Sequence, residues 1–285
     1  MNTGIISRNR KKHIRVVTWT KHELCLLLTA FGLVLFAFLL FRTNLSNIEQ
    51  YRQSRIAWSA GDLMLFFFKG NLPPYLVQDG PPFNVPIFWF AYYLGFVLIL
   101  CLRLSEEFRL AMKGRIIRYP SRLAWSGRII CWILLDAFVY AIAAILALYL
   151  AGCAGSGNAG LQVHEEVQGA LTQTDISQQI FRSCFPGFCW MLLISLIAAG
   201  MIQFLVSEIS GCLYGFISLV ILLVLTVAWM NDVLFLNATM WTRLQPGLDG
   251  HVRLGISGIA ASAAAFLSIV IAYQYIQKKD FIVHG

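Results

Sequence analysis

The sequence predicts an all-α integral membrane protein of about six transmembrane helices, and three observations predict it. Of its 285 residues 58% are hydrophobic and only 13% charged, where a soluble domain carries about 25% charged residues to cover its surface. Mean hydropathy is +0.69, and the apolar residues fall in unbroken blocks of roughly 20, the length of helix that crosses hydrocarbon. Strand-like alternation is absent, which argues against a closed β-barrel. Helices remain, because lipid offers no partner to a free backbone N–H or C=O.

Residues 1–21 form a basic segment carrying Arg8, Arg10, Lys11, Lys12, Arg15 and Lys21. The apolar block that follows, about 23–41, is longer than a signal-peptide core and lacks a small-residue cleavage site after it, so it reads as a retained span. A long connection, 42–86, contains Asp62 and the run 63–68, then Pro73, Pro74, Pro81, Pro82 and Pro86. That run is too short to cross and reads as an interfacial or re-entrant segment. The second span is about 86–102, with Trp89, Tyr92 and Tyr93 near one end, where amphipathic rings prefer the headgroup level. A basic segment, 103–128, leads to the third span, about 129–151, and a Gly/Gln/Thr-rich loop leads on to the fourth, about 187–206. Only Ser207 to Gly211 separate the fourth span from the fifth, about 212–230, which predicts an antiparallel hairpin. A second short apolar stretch, Val233–Leu236, interrupts the connection to the sixth span, about 254–276, and residues 277–285 form a tail. Gly255, Gly258, Ala261, Ala264 and Ala265 recur along the last span near helical spacing and allow close approach of a neighbouring helix, in the same chain or in a second subunit.

Orientation follows from the cations. With the N-terminus inside, the inner segments hold 15 of the 22 Lys and Arg and the outer segments 7, the bias expected of cytoplasmic loops. Both termini are then cytoplasmic, in a multi-pass protein of a cell membrane. The formal net charge of +8 has the same origin and does not indicate nucleic acid.

Seven cysteines are scattered without a C-x-x-C unit, which leaves zinc little support. Cys153, Cys184 and Cys189 flank one outer loop, and a disulfide from Cys153 to Cys184 or to Cys189 is a candidate on that side. His164 with Glu165 and Glu166 offers one histidine, too few for a metal site. No H-E-x-x-H or G-x-S-x-G pattern occurs, and no G-x-x-x-x-G-K-[ST] phosphate loop.

Segment 103–128 carries the most pattern. Leu104, Phe108, Ala111 and Met112 form one apolar helical stripe, with Glu106, Glu107, Arg109, Lys113 and Arg115 on the other faces. Ser105 before two glutamates suits a helix start, and Pro120 ends helical geometry at Tyr119. Such a piece suits either a loop lying on anionic headgroups or a docking surface for a cytoplasmic partner. Inside the spans, Asp136 and Gln203 are candidate gating or pathway residues, as is Glu208 in the hairpin turn. An intramembrane carboxylate is functional by default, and local pairing of Asp136 with a base such as Arg128 is the alternative.

The stretch from Glu106 and Glu107 through Lys113-Gly114-Arg115, Arg118 and Pro120-Ser121-Arg122 to Trp125, set between spans two and three, resembles ABC-2-type transporter permeases. Within that family the likeness extends more loosely to the bacteriocin or lantibiotic export and immunity type, through Asp62 and the residues after it. The 42–86 connection is longer and richer in proline than the family requires. The resemblance implies that 103–128 is a coupling segment docking onto a separate ATPase, through Glu106, Glu107, Arg109, Lys113, Gly114, Arg115, Arg118, Pro120, Ser121 and Arg122. It implies ATP and Mg²⁺ held by that partner and none by this chain, and a second membrane subunit, identical or different. The cargo would be hydrophobic or amphipathic, a peptide or a lipid-like compound. The rings Phe66, Phe67, Phe68, Trp229 and Trp241 in the outer connections fit an exit route for it or ordinary interfacial anchoring. Two other classes stay open: an integral membrane enzyme acting on a lipid or peptide, and a non-transporting sensor or scaffold.

Overall fold

Long stretches of Leu, Ile, Ala and Phe without a breaker leave the backbone no reason to stop hydrogen bonding where charged residues begin, and the helices therefore outrun their apolar blocks. A computed structural model describes residues 3–72, 85–110, 122–172, 176–244 and 251–278, with side chains from Lys21 onward except those of 122, 123, 172 and 278. The principal helices are α1 (Thr3–Arg52), α2 (Ala60–Phe67), α3 (Ile87–Leu110), α4 (Arg122–Ser156), a single turn α5 (Glu165–Val167), α6 (Gln178–Ser210), α7 (Cys212–Ala228) and α8 (Leu254–Lys278). Among the described residues no strand occurs.

Among the described residues five helical stretches are long and apolar enough to cross a membrane: Lys21–Arg52, Ile87–Leu110, Ala124–Ser156, Gln178–Ser210 and Leu254–Gln277. The chain is a helical, membrane-embedded protein. The predicted fifth span is α7, whose 17 residues reach about 25 Å, short of a hydrocarbon core of about 30 Å.

Two boundaries differ in kind from the expectation. The 42–86 connection is helical as far as Arg52, so α1 is one rod of 50 residues and about 75 Å. No new helix starts at Ser105 either. α3 runs unbroken from Ile87 to Leu110, and the Ser105 hydroxyl donates to the Leu102 carbonyl at 2.8 Å instead of capping.

Each helix buries one stripe. In α1 it is Leu26, Ala30, Val34, Ala37, Phe41 and Leu45, while Leu28, Phe31, Leu35 and Leu39 on the other side are exposed. A rod apolar all round suits lipid. α1 packs on α3 and α4, α6 packs on α3, α4, α7 and α8, and α7 also meets α3. Gly211, with φ of 103°, is the only residue between α6 and α7; a left-handed backbone there favours glycine.

The rings expected at the interface are inside. Trp89, Tyr92, Tyr93, Phe67, Phe68 and Trp241 are all buried, and Phe188 stacks on Trp241 at 4.4 Å. Of the five rings in the two connections, Phe67, Phe68 and Trp241 are buried inside the bundle, Phe66 is half-buried and Trp229 is exposed. Three polar edges find partners, whereas the Tyr92 hydroxyl and Trp241 Nε1 are buried without a hydrogen-bond partner among the described residues. Trp89 Nε1 donates to Thr239 at 2.8 Å, Tyr93 and Ser195 share a hydrogen bond of 2.6 Å, and the Tyr140 hydroxyl donates to the Tyr92 carbonyl at 2.9 Å.

α2 does not lie at a surface. Seven of its eight residues are buried against α1 and α4. Asp62 and Ser59 close its N-terminus as a capping box, a reciprocal arrangement that satisfies two donors at once.

Candidate functional site

Three buried stripes meet at one end of the bundle, and each carries a charged or titratable residue there. On α3 the stripe through Trp89, Tyr92, Phe96 and Leu100 reaches Arg103; on α4 the stripe through Trp125, Ile129 and Ile133 reaches Asp136. Arg103 Nη1 donates to both carboxylate oxygens of Asp136. Arg103 is 4% exposed and Asp136 2%, so the pair is removed from water. On α1 the stripe leads back from Leu26 to His22, whose Nε2 lies 3.1 Å from Glu106 Oε2 on α3. Glu23 is within electrostatic range of both Asp136 and Arg103.

Aromatic surface completes the cluster. The Trp132 ring takes the guanidinium of Arg128 at 4.1 Å and that of Arg103 at 4.6 Å from its centroid, an arrangement in which the ring quadrupole attracts cations. Arg128 is therefore not the partner of Asp136. The two are eight residues apart on one helix, about 12 Å along its axis, whereas Arg103 arrives from the neighbouring helix at the right height. Arg103 Nη2 is buried with no hydrogen-bond partner among the described residues. One nitrogen thus serves both oxygens of Asp136, and the forked geometry that would use the second is not realised.

Of the coupling-segment residues, Glu106 and Glu107 are half-buried and Arg109 is exposed on the last turns of α3. Lys113, Gly114, Arg115, Arg118, Pro120 and Ser121 lie outside the described residues, and Arg122 opens α4 with its side chain outside them. Gln203 is buried and donates to the Val97 carbonyl of α3 at 2.9 Å; its Oε1 has no hydrogen-bond partner among the described residues. Glu208 is buried at the end of α6, where Cys212 begins α7 and its carbonyl accepts from the Cys101 thiol of α3 at 3.4 Å. Cys153 and Cys184 are free thiols in this structure, and the Cys184 sulfur lies 3.9 Å from the Ser183 hydroxyl. Among the described residues no group of three or more His, Cys, Asp or Glu is placed to hold a metal ion.

The opposite end is held by two polar locks. The Asp62 carboxylate accepts from the His164 backbone N–H at 2.9 Å and lies 2.7 Å from His164 Nδ1, while Ser59 donates to the Gln162 carbonyl. Burial pushes the Asp62 carboxyl above the ordinary value of 3.8, against the opposing pull of its His164 and Ser59 hydrogen bonds. Arg243, fully buried, donates to the Thr226, Val227 and Asn71 carbonyls and to Asn237 Oδ1. A cation on the last carbonyls of α7 meets the negative end of the helix dipole.

Arg103, His22, Arg243 and the Asp62–His164 pair were absent from the sequence-based site. By sequence Arg103 and Arg243 read only as loop charges.

The fold and cluster define an all-α membrane-embedded protein with a buried charge pair linking two of its long helices. Comparison with known protein families, with curated proteins and with solved structures finds no match.

Proposed function

We propose that the chain is the transmembrane subunit of an ATP-binding-cassette exporter of the ABC-2 type, in the membrane of a bacterial cell. It crosses six times with both termini in the cytoplasm, α7 serving as a short fifth crossing continued by the buried 235–243 stretch. The observation that carries the reading is the unbroken run of α3 into its charged end, with Arg103 on that helix tied to Asp136 on α4. Segment 111–121 joins those same two helices, so a force applied to it moves both as one body. His22 and Glu106 add the inner end of α1 to that body.

In this reading a separate ATPase grips the segment, binds ATP and Mg²⁺ and hydrolyses the nucleotide. Closure of the ATPases rotates α1, α3 and α4 against α6, α7 and α8 and parts the aromatic core for a hydrophobic or amphipathic cargo, such as a peptide or lipid-like molecule. A second membrane subunit, identical or different, completes the passage. The resemblance of Glu106 to Trp125 to ABC-2 permeases supports this reading, as does the excess of Lys and Arg on the proposed inner side. Affinity purification of the tagged chain with an ATPase encoded beside it tests it: the ATPase co-purifies with the wild type and is lost with Lys113→Glu and Arg122→Glu. ATPase association unchanged by both reversals contradicts the reading.

A further inference from the structure

Helix α6 carries a proline inside it, Pro186, and Gly187 follows directly. Proline has no N–H, so the Arg182 carbonyl one turn back loses its helical donor, and the pyrrolidine ring crowds that carbonyl. Gly187 adds backbone freedom at the next position. Kinks in long helices fall at such points. The pair divides α6 into a first piece of about two turns, residues 178–185, and the longer remainder.

The two pieces share one ring. Phe181 on the first piece lies 5.1 Å from Trp241, and Phe188 beyond the proline stacks on the same ring at 4.4 Å. All three are buried. Phe188 continues into the aromatic core through Phe68 at 5.5 Å, which in turn lies 5.3 Å from Tyr92. A swing of the first piece about Pro186 lifts Phe181 off Trp241 and leaves Phe188 in place. Trp241 Nε1 is buried without a hydrogen-bond partner among the described residues. A buried donor left unpaired raises the energy of the closed form, and water reaching it on opening offsets part of the cost of the swing.

Gln178 holds the first piece down. Its Oε1 accepts from the Val163 N–H at 2.6 Å and its Nε2 donates to the Leu161 carbonyl at 3.1 Å. The stretch it grips is itself anchored to the start of α2, through Ser59 to the Gln162 carbonyl and through Asp62 to the His164 N–H. Gln178 and Phe181 are three residues apart and so share one helix face.

We propose that residues 178–185 are a gate over this end of the aromatic core, hinged at Pro186 and Gly187, seated by Phe181 on Trp241 and latched by Gln178. The gate deepens the transport reading, in which the core parts for an apolar cargo. Its test uses neither ATPase nor cargo, so a failed gate is distinct from failed ATPase association.

The test is pulsed electron–electron double resonance on the full-length chain in phospholipid nanodiscs, with its seven native cysteines replaced. Nitroxides at Arg182→Cys and Thr43→Cys, both exposed positions, report the first piece of α6 against α1. Trp190→Cys, also exposed, paired with Thr43→Cys reports α6 beyond the hinge. Gln178→Ala should enlarge a second, displaced Arg182–Thr43 population about tenfold, the factor expected of one to two lost hydrogen bonds. Adding Pro186→Ala, which restores an N–H facing the Arg182 carbonyl, should return a single distribution. The Trp190–Thr43 distribution should stay the same in every variant, which also reports that each is folded. The proposal is overturned if Gln178→Ala leaves the Arg182–Thr43 distribution unchanged, if the second population survives Pro186→Ala, or if the Trp190–Thr43 distance shifts with it.

Discussion

The guanidinium of Arg103 in α3 closes on both carboxylate oxygens of Asp136 in α4, and both side chains are almost wholly excluded from solvent. Two charges taken out of water are costly, and removing either strands the other. Arg103→Met or Asp136→Leu alone should destabilise the protein by about 3–5 kcal/mol, whereas the two together should recover most of that loss. Denaturant unfolding in detergent micelles measures this, and additive losses would show that the pair is not coupled.

Asp62 supplies a pH dependence of definite sign. Its carboxyl titrates above 3.8 in the folded protein because burial outweighs its hydrogen bonds. The folded state then holds more protons than the unfolded chain between that value and the raised one, so stability is complete below 3.8 and falls as pH rises through the folded value. Asp62→Asn should flatten this slope in thermal melts recorded across acidic pH. Asp62→Ala, which removes the N3 half of the capping box whose N-cap is Ser59, should cost about 1 kcal/mol.

Gly61 sits where α2 touches the 161–164 stretch. A Cβ there would stand 2.3 Å from the Gln162 carbonyl oxygen, a contact that backbone must move to relieve. Gly61→Ala should cost about 1–3 kcal/mol, while Gly255→Ala, whose Cβ meets nothing, should be neutral or stabilising. Equal melting temperatures for the two variants would mean that α2 is not packed against this stretch.

Arg243 gathers carbonyls from α7 and from Asn71 with a forked guanidinium. Arg243→Met leaves several buried acceptors without donors, each costing about 1–3 kcal/mol, so the loss should be roughly 3 kcal/mol or more. Arg243→Lys should rescue little of it, because an ammonium cannot reproduce the fork. Expression level and thermal melting of the three proteins check both statements.

Hydropathy made the long apolar helices legible, since their lengths answer to the thickness of hydrocarbon. It did not give their ends: Ser105 and Arg42 look like exits from the membrane, yet no Pro or Gly there interrupts the backbone bonding. The charged cluster was legible in phase rather than in hydropathy. His22 continues the stripe Leu26, Ala30, Val34; Arg103 continues Phe96, Leu100; Asp136 falls between Ile133 and Tyr140. Charges in register with a buried face are buried, however close they lie to the edge of an apolar block. Which cation Asp136 takes was not legible, because Arg128 is nearer in sequence and Arg103 nearer in space. The locks at the opposite end were beyond the sequence for the same reason. Arg243 and Asn71 are 172 residues apart, and Asp62 and His164 are 102 apart. Only the packing of α2 beside α4 brings the second pair together.

The account turns on the side of the membrane to which the chain between α3 and α4 emerges. Lys113→Cys, placed in a variant whose seven native cysteines are replaced, can be probed in intact cells with a membrane-impermeant maleimide. Labelling only after the cells are permeabilised is the predicted result. Labelling in intact cells would put the segment outside, away from ATP, and contradict both the orientation and the docking of an ATPase.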